Sequence, residues 1–383
     1  MILLVGEVEL AGAAASTIFL LSFALANGAG LLVRARVDDA LASYRAPFYP
    51  LLPLLGITGC LAIAALQLLA APLAVLVVGG WLGLGTLLYR LKLRDRAEAV
   101  SARAEALDTV LVRLRGREPV VLVPLANPSR AETLLTFADA LAPRSVGRLL
   151  ALAVAPHDTA SQTPAEGEAA FDRACGPMRV AAAAACRLSR PFEGAILLAP
   201  DVPAAVTRVA AERRAEIVLL GMSSLEDSAG TGLLQKLIAA SGADVVVLKA
   251  PETWSHQAVR RALVPVGGEA RHDALRARIV ALLQRAGQAE VTLLRVIRKE
   301  EERAAATSYL QGVADDLGLP RGSAAVELSD DPAAAVIARG RASDLVILGL
   351  GAGQGRRAEV GPFVLRIARE VSCPLVAIAR RPR

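Results

Sequence analysis

Aromatic residues, cysteine and histidine are scarce in this 383-residue sequence. Aromatic residues make up 3% of the chain, too few for a surface on which nucleic-acid bases stack, so we expect no nucleic-acid partner. The four cysteines are isolated, and the three histidines have no acidic or cysteine neighbours at metal-ligand spacing, which argues against disulfides and a metal site. The sequence also has no Walker lysine motif and no Gly-x-Ser-x-Gly elbow, so it predicts no catalytic residues and no enzyme activity.

Charged residues are absent from residues 51–88, and Pro72 interrupts this stretch. One helix over the whole stretch would be far longer than the ~30 Å hydrocarbon layer of a bilayer, so two spans joined near Pro72 are expected. An uncharged apolar stretch over residues 10–33 adds a third span. The sequence therefore predicts a membrane segment, residues 1–91, with transmembrane helices at about residues 10–33, 51–69 and 73–89.

Basic residues lie at one end of the predicted spans. Arg34 and Arg45 lie between the first and second spans, and Arg90 and Lys92 follow the third, whereas the turn at Pro72 has no basic residue. Basic loops are retained in the cytoplasm. We therefore expect a multi-pass protein of the cytoplasmic (inner) membrane, with its N-terminus outside and everything after the third span in the cytoplasm.

Gly79 and Gly83 have the GxxxG spacing that lets membrane helices pack closely. They indicate packing against a permease subunit, a second copy of the chain, or the other two spans, and the sequence leaves these open. Polar side chains in the spans are few, chiefly Asn27, Gln67 and some hydroxyls. Transport sites are built from polar or ionisable groups near the midplane, so we expect no transport by these spans alone.

Two stretches of the membrane segment carry a family resemblance. Residues 44–53 read YRAPFYPLLP, a short basic loop with an aromatic-proline pair and a proline-rich helix start, and residues 81–90 read WLGLGTLLYR. Both resemble the amino acid–polyamine–organocation superfamily of permeases. The resemblance implies that these spans are similar to the final three of twelve, without the early helices that bind substrate and ions in such permeases.

The remainder of the chain is a tandem repeat. After a connecting helix within residues 92–117, the segments 118–250 and 259–383 share one order of short apolar strands and helices, and residues 251–258 link them. All-apolar strands that alternate with helices are typical of a parallel sheet buried on both faces. The sequence therefore predicts an α-helical membrane segment followed by α/β domains, each a doubly wound parallel sheet with its ligand crevice at the carboxyl ends of the strands.

The motifs of the two repeats resemble the universal stress protein family. The first strand of each repeat ends in Val-Pro, the fourth ends in glycine at Gly221 and Gly349, and Cys373-Pro374 precedes the last strand. The resemblance covers almost all of residues 118–381, and permease-like spans followed by tandem universal stress domains resemble a known arrangement in bacterial and archaeal amino-acid transporters. Some members of the family bind ATP through an Asp after the first strand and a Gly-x2-Gly-x9-Gly-Ser/Thr stretch.

The second repeat is nearer to that ATP motif than the first. Gly349, Gly351 and Gly353 are followed by Gly361 at the expected nine-residue spacing from Gly351, although Pro362 replaces the hydroxyl residue. The resemblance makes these four glycines candidate nucleotide-binding residues, with ATP as the possible cofactor. A degenerate surface loop is the alternative.

The sequence favours a membrane-anchored tandem universal stress module with a regulatory or sensory role beside an amino-acid permease. One alternative is a C-terminal fragment or subunit of an amino-acid transporter. Another is a sensor that binds ATP through the second repeat. The expected partners are the lipid bilayer and either a permease subunit or a second copy of the chain.

Overall fold

The computed structural model describes residues 8–34, 48–108, 111–112, 118–143, 146–157, 163–222, 228–267, 274–287, 289–350 and 360–380. The chain forms two compact units. The first comprises Met1–Arg94 and Arg113–Arg117, and the second comprises Asp95–Val112 and Glu118–Arg383.

The first unit is helical. Its helices are α1 (Val8–Arg34), α2 (Leu51–Ala70) and α3 (Pro72–Leu88), and α3 is followed by a π-helical turn, Tyr89–Leu93. Two stretches, Leu10–Leu32 and Pro72–Leu93, are long and apolar enough to cross a membrane, whereas the apolar stretch Leu51–Gln67 is shorter. Two candidate spans are therefore established by length and composition, and the expected third is not confirmed.

Polar side chains connect α1 to α2. The Thr17 hydroxyl donates a hydrogen bond to Gln67 Oε1 at 2.5 Å, and Gln67 Nε2 donates to the Ser16 hydroxyl at 2.8 Å. Thr17 is buried. Interhelical hydrogen bonds of this kind stabilise helix pairs in an apolar environment by about 0.6 kcal/mol on average.

The second unit begins with helix α4 (Arg94–Leu107) and contains both repeats. The first repeat consists of β1 (Val120–Pro124), α5 (Pro128–Leu141), β2 (Arg148–Pro156), α6 (Pro164–Arg187), β3 (Phe192–Ala199), α7 (Val202–Glu212), β4 (Ile217–Met222), α8 (Ser228–Ala240) and β5 (Asp244–Lys249). The second consists of β6 (Arg261–Pro265), α9 (Ala274–Gly287), β7 (Glu290–Ile297), α10 (Arg303–Asp316), β8 (Ala324–Leu328), α11 (Pro332–Gly340), β9 (Leu345–Gly349), α12 (Pro362–Glu370) and β10 (Leu375–Ala379). The two repeats thus share one order of elements.

All ten strands lie in one sheet, in the order β3-β2-β1-β4-β5-β10-β9-β6-β7-β8. Pairing is parallel within each repeat, and β5 and β10 pair antiparallel, with Lys249 opposite Leu375 and Val245 opposite Ala379. The predicted α/β class is correct, but the two separate, all-parallel sheets of the prediction are one mixed sheet. The physical reason is that the fifth strand of each repeat is apolar and lies at an edge of its own half, where pairing satisfies its backbone groups.

Helices cover both faces of this sheet. Strand residues alternate between two cores: Val121 and Val123 face α5, α6, α9 and α10, whereas Val120 and Leu122 face α7, α8, α11 and α12. Each core continues through both repeats. Because β5 and β10 pair antiparallel, the carboxyl ends of the parallel strands, where ligands bind in such folds, lie at opposite ends of the sheet in the two repeats.

Helix α4 packs on the second unit instead of only connecting to it. Ala99 is buried in the core, and Arg96 forms an ion pair with the buried Asp316 at 2.7 Å. Near the end of α4, the buried Glu105 carboxylate lies 3.8 Å from the guanidinium of Arg278 in α9. The charged sequence of α4 is therefore used for specific ion pairs.

The segment that links the repeats is also packed. Trp254 contacts Phe137 of α5 edge-to-face, with ring centroids 5.5 Å apart, and His256 is buried beside the same ring. The Thr133 hydroxyl donates a hydrogen bond to the carbonyl oxygen of Glu252. These contacts hold the linker against the first repeat.

Candidate functional site

The carboxyl ends of β6 and β9 form the candidate site in the second repeat. These strands are direct neighbours, and β9 ends at Gly349. Of the four predicted glycines, the structure describes Gly349 and Gly361, while Gly351 and Gly353 lie outside the described residues. Gly361 is the N-cap of α12, in an extended conformation, and supplies no side chain to cap the helix.

A buried arginine lies against Gly349. Arg276 of α9 is 8% exposed, and its Nη2 atom lies 3.0 Å from the position that a Cβ at Gly349 would occupy. Glycine at position 349 therefore allows the guanidinium to approach the end of β9. Arginine presents several N–H donors in a fixed plane that matches phosphate and carboxylate groups, so this is a chemically suitable place for an anion.

The first repeat has an apolar residue in the corresponding place. Gly221 is the second-last residue of β4, the equivalent of β9, and its hypothetical Cβ would lie 2.7 Å from Leu134 Cδ1 on α5. Helices α5 and α9 each follow the first strand of their repeat, so Leu134 and Arg276 occupy similar places over the glycine. The first repeat fills this position with a hydrocarbon side chain, and the second fills it with a cation.

The ATP motif described above has an Asp after the first strand. In the first repeat, Asn127 lies near this position and caps helix α5. Asn127 Oδ1 accepts hydrogen bonds from the backbone N–H and the hydroxyl of Ser129, each at 3.0 Å. This accounts for Asn127 as the N-cap of α5. The sequence makes this repeat less similar to the ATP motif than the second repeat, and a lack of ATP binding here stays a prediction.

Asp331 is the N-cap of α11. Asp331 Oδ1 accepts hydrogen bonds from the backbone N–H groups of Ala333 and Ala334, both at 3.1 Å, at the start of α11. The backbone N–H of Ala334 and the Arg366 guanidinium hold the pKa of the Asp331 carboxyl below its usual value. A carboxylate stabilised in this way is a poor general acid or base near neutral pH.

Other reactive groups are not gathered into a site in the part of the chain that the structure describes. No group of three or more His, Cys, Asp or Glu side chains that could hold a metal ion is found among these residues. The four cysteines are unpaired thiols, and burial raises the pKa of the Cys373 thiol to about 11. Cys373 is therefore protonated at physiological pH and is a weak nucleophile.

The glycines of the predicted helix-packing motif point away from the rest of the first unit. A Cβ at Gly79 or Gly83 would have no atom of the described residues within 4 Å. Helix α3 instead contacts α1 through Ala74 and Val78, which are both buried. The glycine face is thus not used for packing against the described parts of α1 and α2, and its predicted role in docking a partner helix is untested.

Sequence comparison finds no relatives: no protein-family model and no curated protein matches this chain. Comparison of structures does. The chain is similar to a universal stress protein from Archaeoglobus fulgidus DSM 4304, with a TM-score of 0.51 and 15% identity, over 69% of this chain and 97% of the other. The second unit has the universal stress fold. A second similar structure is the cytoplasmic domain of a prokaryotic cation chloride cotransporter, with a TM-score of 0.47 and 11% identity, over 69% of this chain and 96% of the other.

These structural similarities test the predicted fold of the two repeats but not the predicted permease-like segment. The universal stress fold expected from the Val-Pro, glycine and Cys-Pro motifs is confirmed. The predicted fusion to a permease-like segment is not confirmed. The signal that sequence reasoning missed was Arg276, an arginine in the buried face of an amphipathic helix.

Proposed function

We propose that the chain is a membrane-anchored regulatory or sensory module in which tandem universal stress folds are attached to a transmembrane segment. The first unit supports the anchor because its apolar side chains point outwards: only 6% of the residues in the Leu10–Leu32 window and 11% in the Pro72–Leu93 window are buried. The core helix of a soluble protein would be mostly buried. Contiguous exposed apolar surface of this kind fits lipid.

The finer topology is part of the proposal. Helix α2 has the same outward apolar character, with Leu55, Ile63 and Leu66 about half exposed or more, and it serves as the third span. The basic residues at the end of α1 and after α3 support a topology with the second unit in the cytoplasm and the N-terminus outside. Extraction of vesicles with alkaline carbonate tests the anchor, and release of the intact chain into solution would contradict it.

The ligand of the module is an anion, such as a nucleotide phosphate, bound at the end of β9. The observation that carries this proposal is the exchange between the repeats, in which the buried Arg276 stands where the first repeat has Leu134. Arginine has five N–H donors, so a guanidinium that protein groups already hold can also donate hydrogen bonds to an anion. Gly349 leaves the guanidinium room to do so.

Calorimetric titration of the full chain in nanodiscs with ATP tests the ligand. We expect wild type to bind and Arg276→Leu to bind about 10- to 100-fold more weakly, because a hydrogen bond to a charged group contributes about 1.5–3 kcal/mol. Leucine is the residue that the first repeat has at this place, so the variant should keep its fold. The matched control is Arg341→Leu, which replaces an exposed arginine directly after the C-terminal end of α11.

Four outcomes of this titration distinguish the proposed functions. Weaker ATP binding by Arg276→Leu, together with unchanged ATP binding by Arg341→Leu, supports the site. Equal ATP binding by wild type and Arg276→Leu contradicts it. Release of phosphate during the titration would contradict the proposal that the module is not an enzyme. Absence of ATP binding by wild type would remove the nucleotide from the proposal and leave the regulatory role to be tested through a partner.

Association with an amino-acid permease is the proposed context, with Gly79 and Gly83 as the helix contact. The alternative is that the chain is itself a fragment or subunit of an amino-acid transporter. The described polar side chains Ser16, Thr17 and Gln67 bond to one another, which favours a structural role for them over a substrate site. Amino-acid uptake by vesicles that contain this chain alone would support the alternative.

A further inference from the structure

Contacts between α1 and α2 establish which ends of these helices lie together. Thr17 bonds to Gln67, and ten residues further along α1 the Asn27 amide lies 3.1 Å from the Cβ position of Gly56. A residue later in α1 therefore contacts a residue earlier in α2. The two helices are therefore antiparallel, and the C-terminal end of α1 lies beside the N-terminal end of α2.

Helix α3 begins at the end of the unit where α1 begins and α2 ends, so we infer that it runs in the same direction as α1. Ala14, in the first half of α1, packs in one buried cluster with Ala74 and Val78, in the first half of α3. The C-terminal ends of α1 and α3 and the N-terminal end of α2 therefore share one end of the three-helix unit.

This end carries aromatic and basic side chains, which we call the basic-aromatic end: Arg34, Tyr49, Tyr89, Arg90 and Lys92. The Arg34 guanidinium lies over the ring of Tyr49, 4.6 Å from its centroid. Arg90 and Lys92 are exposed on the π-helical turn, and no described carboxylate forms an ion pair with either. The opposite end, formed by the turn at Ala71 and Pro72 and the first turn of α1, has no basic residue and includes Glu9.

The chemistry of this end matches a phospholipid head group. Tyrosine rings are favoured at the level of head groups, where one part of the ring is apolar and the hydroxyl is hydrated. Arginine binds phosphate through paired N–H donors, and a guanidinium stacked by its face on a ring keeps those donors at its edge. Cations beside a membrane surface attract anionic lipids.

We propose that the basic-aromatic end binds the head groups of anionic phospholipids, so that the anchor selects anionic over zwitterionic lipid. The inference depends on the proposed membrane anchoring. It names a lipid class as the partner of Arg34, Arg90 and Lys92, which the anchoring proposal does not require.

Quenching of tryptophan fluorescence by brominated lipids tests the selection. Trp81 lies two helical turns before Tyr89 on α3, within reach of acyl chains whose head groups contact the basic-aromatic end. The full chain is reconstituted in vesicles that contain brominated phosphatidylglycerol or brominated phosphatidylcholine in an unbrominated background. The ratio of the two quenching constants gives the relative affinity for the anionic lipid.

Removing two cations should lower this ratio. Each cation near an anionic surface contributes about fivefold in affinity, so Arg90→Gln/Lys92→Gln should reduce the preference for phosphatidylglycerol by up to about 25-fold. The matched control is Arg298→Gln/Lys299→Gln, which makes the same charge change at exposed residues of the second unit. The control should keep the wild-type ratio.

The results distinguish this inference from the anchoring on which it depends. An unchanged ratio in Arg90→Gln/Lys92→Gln, or an equal loss in the control, would overturn the inference while the chain remains in the vesicles. Release of wild type from vesicles by alkaline carbonate would overturn the anchoring itself. Relief of quenching by millimolar glycerol phosphate would show that the end binds free phosphate in preference to lipid, which also overturns the inference.

Discussion

The substitution Arg278→Leu tests whether α4 is an integral part of the second unit. Arg278 is 6% exposed, and its Nη2 atom lies 2.8 Å from Glu216 Oε1 and 3.8 Å from Glu105 Oε2. It therefore connects α4, the second repeat and the first repeat through one guanidinium. Leucine at this position would leave the Glu105 carboxylate, which is 2% exposed, without the cation beside it.

The expected loss follows from burial. Removing one partner of a buried ion pair costs about 3–5 kcal/mol, because the remaining charge is left in a medium of low polarity. The exposed pair Arg208–Glu212, with atoms 4.0 Å apart, gives the comparison: Arg208→Leu should cost about 0.5 kcal/mol or less. The double variant Arg278→Leu/Glu105→Gln should recover part of the loss because it also removes a buried charge.

Unfolding by urea, followed through tryptophan fluorescence, measures these differences. The chain has two tryptophans, so in a Trp81→Phe background the signal comes from Trp254, which packs against Phe137 in the second unit. The full chain is unfolded in nanodiscs. Equal urea midpoints for Arg278→Leu and Arg208→Leu would refute the argument that this ion pair is buried and stabilising.

Two further predictions concern single titrating groups. Burial raises the pKa of the Cys373 thiol to about 11, so about one thiol in a thousand is ionised at pH 8, and iodoacetamide should modify the exposed Cys186 first; equal rates by peptide mass spectrometry would contradict this. The lowered pKa of Asp331 means that its stabilising effect is present above the ordinary value and lost as pH falls through the lowered one. The stability difference between wild type and Asp331→Asn should therefore shrink below about pH 4, and a constant difference down to pH 2 would argue against it.

Local sequence patterns predicted much of the second unit. Short apolar runs that end at proline, glycine or charged residues locate the strands of the two repeats. The capping role of Asp331 also followed from its place before Pro332. These features depend on neighbours in the chain, which a sequence displays directly.

Features that depend on distant residues could not be predicted. The sequence of α4 reads as a solvated helix, and its partner Asp316 is 220 positions further along the chain. The antiparallel pairing of β5 with β10 leaves no mark in two runs of apolar residues. The position of Arg276 could not be predicted for the same reason. An arginine in an amphipathic helix is usually solvated, and only the packing shows that this one is buried beside Gly349.

The antiparallel pairing of β5 with β10 joins the two repeats, and it also determines whether they stay associated when the protein is diluted. Because both strands belong to one polypeptide, each half is held at a fixed local concentration of the other, and their association does not depend on how many copies a cell contains. Two repeats on separate chains would dissociate from each other at low protein concentration. This chain always has one half with Leu134 and one with Arg276, so the anion site that we propose at Arg276 occurs once per molecule.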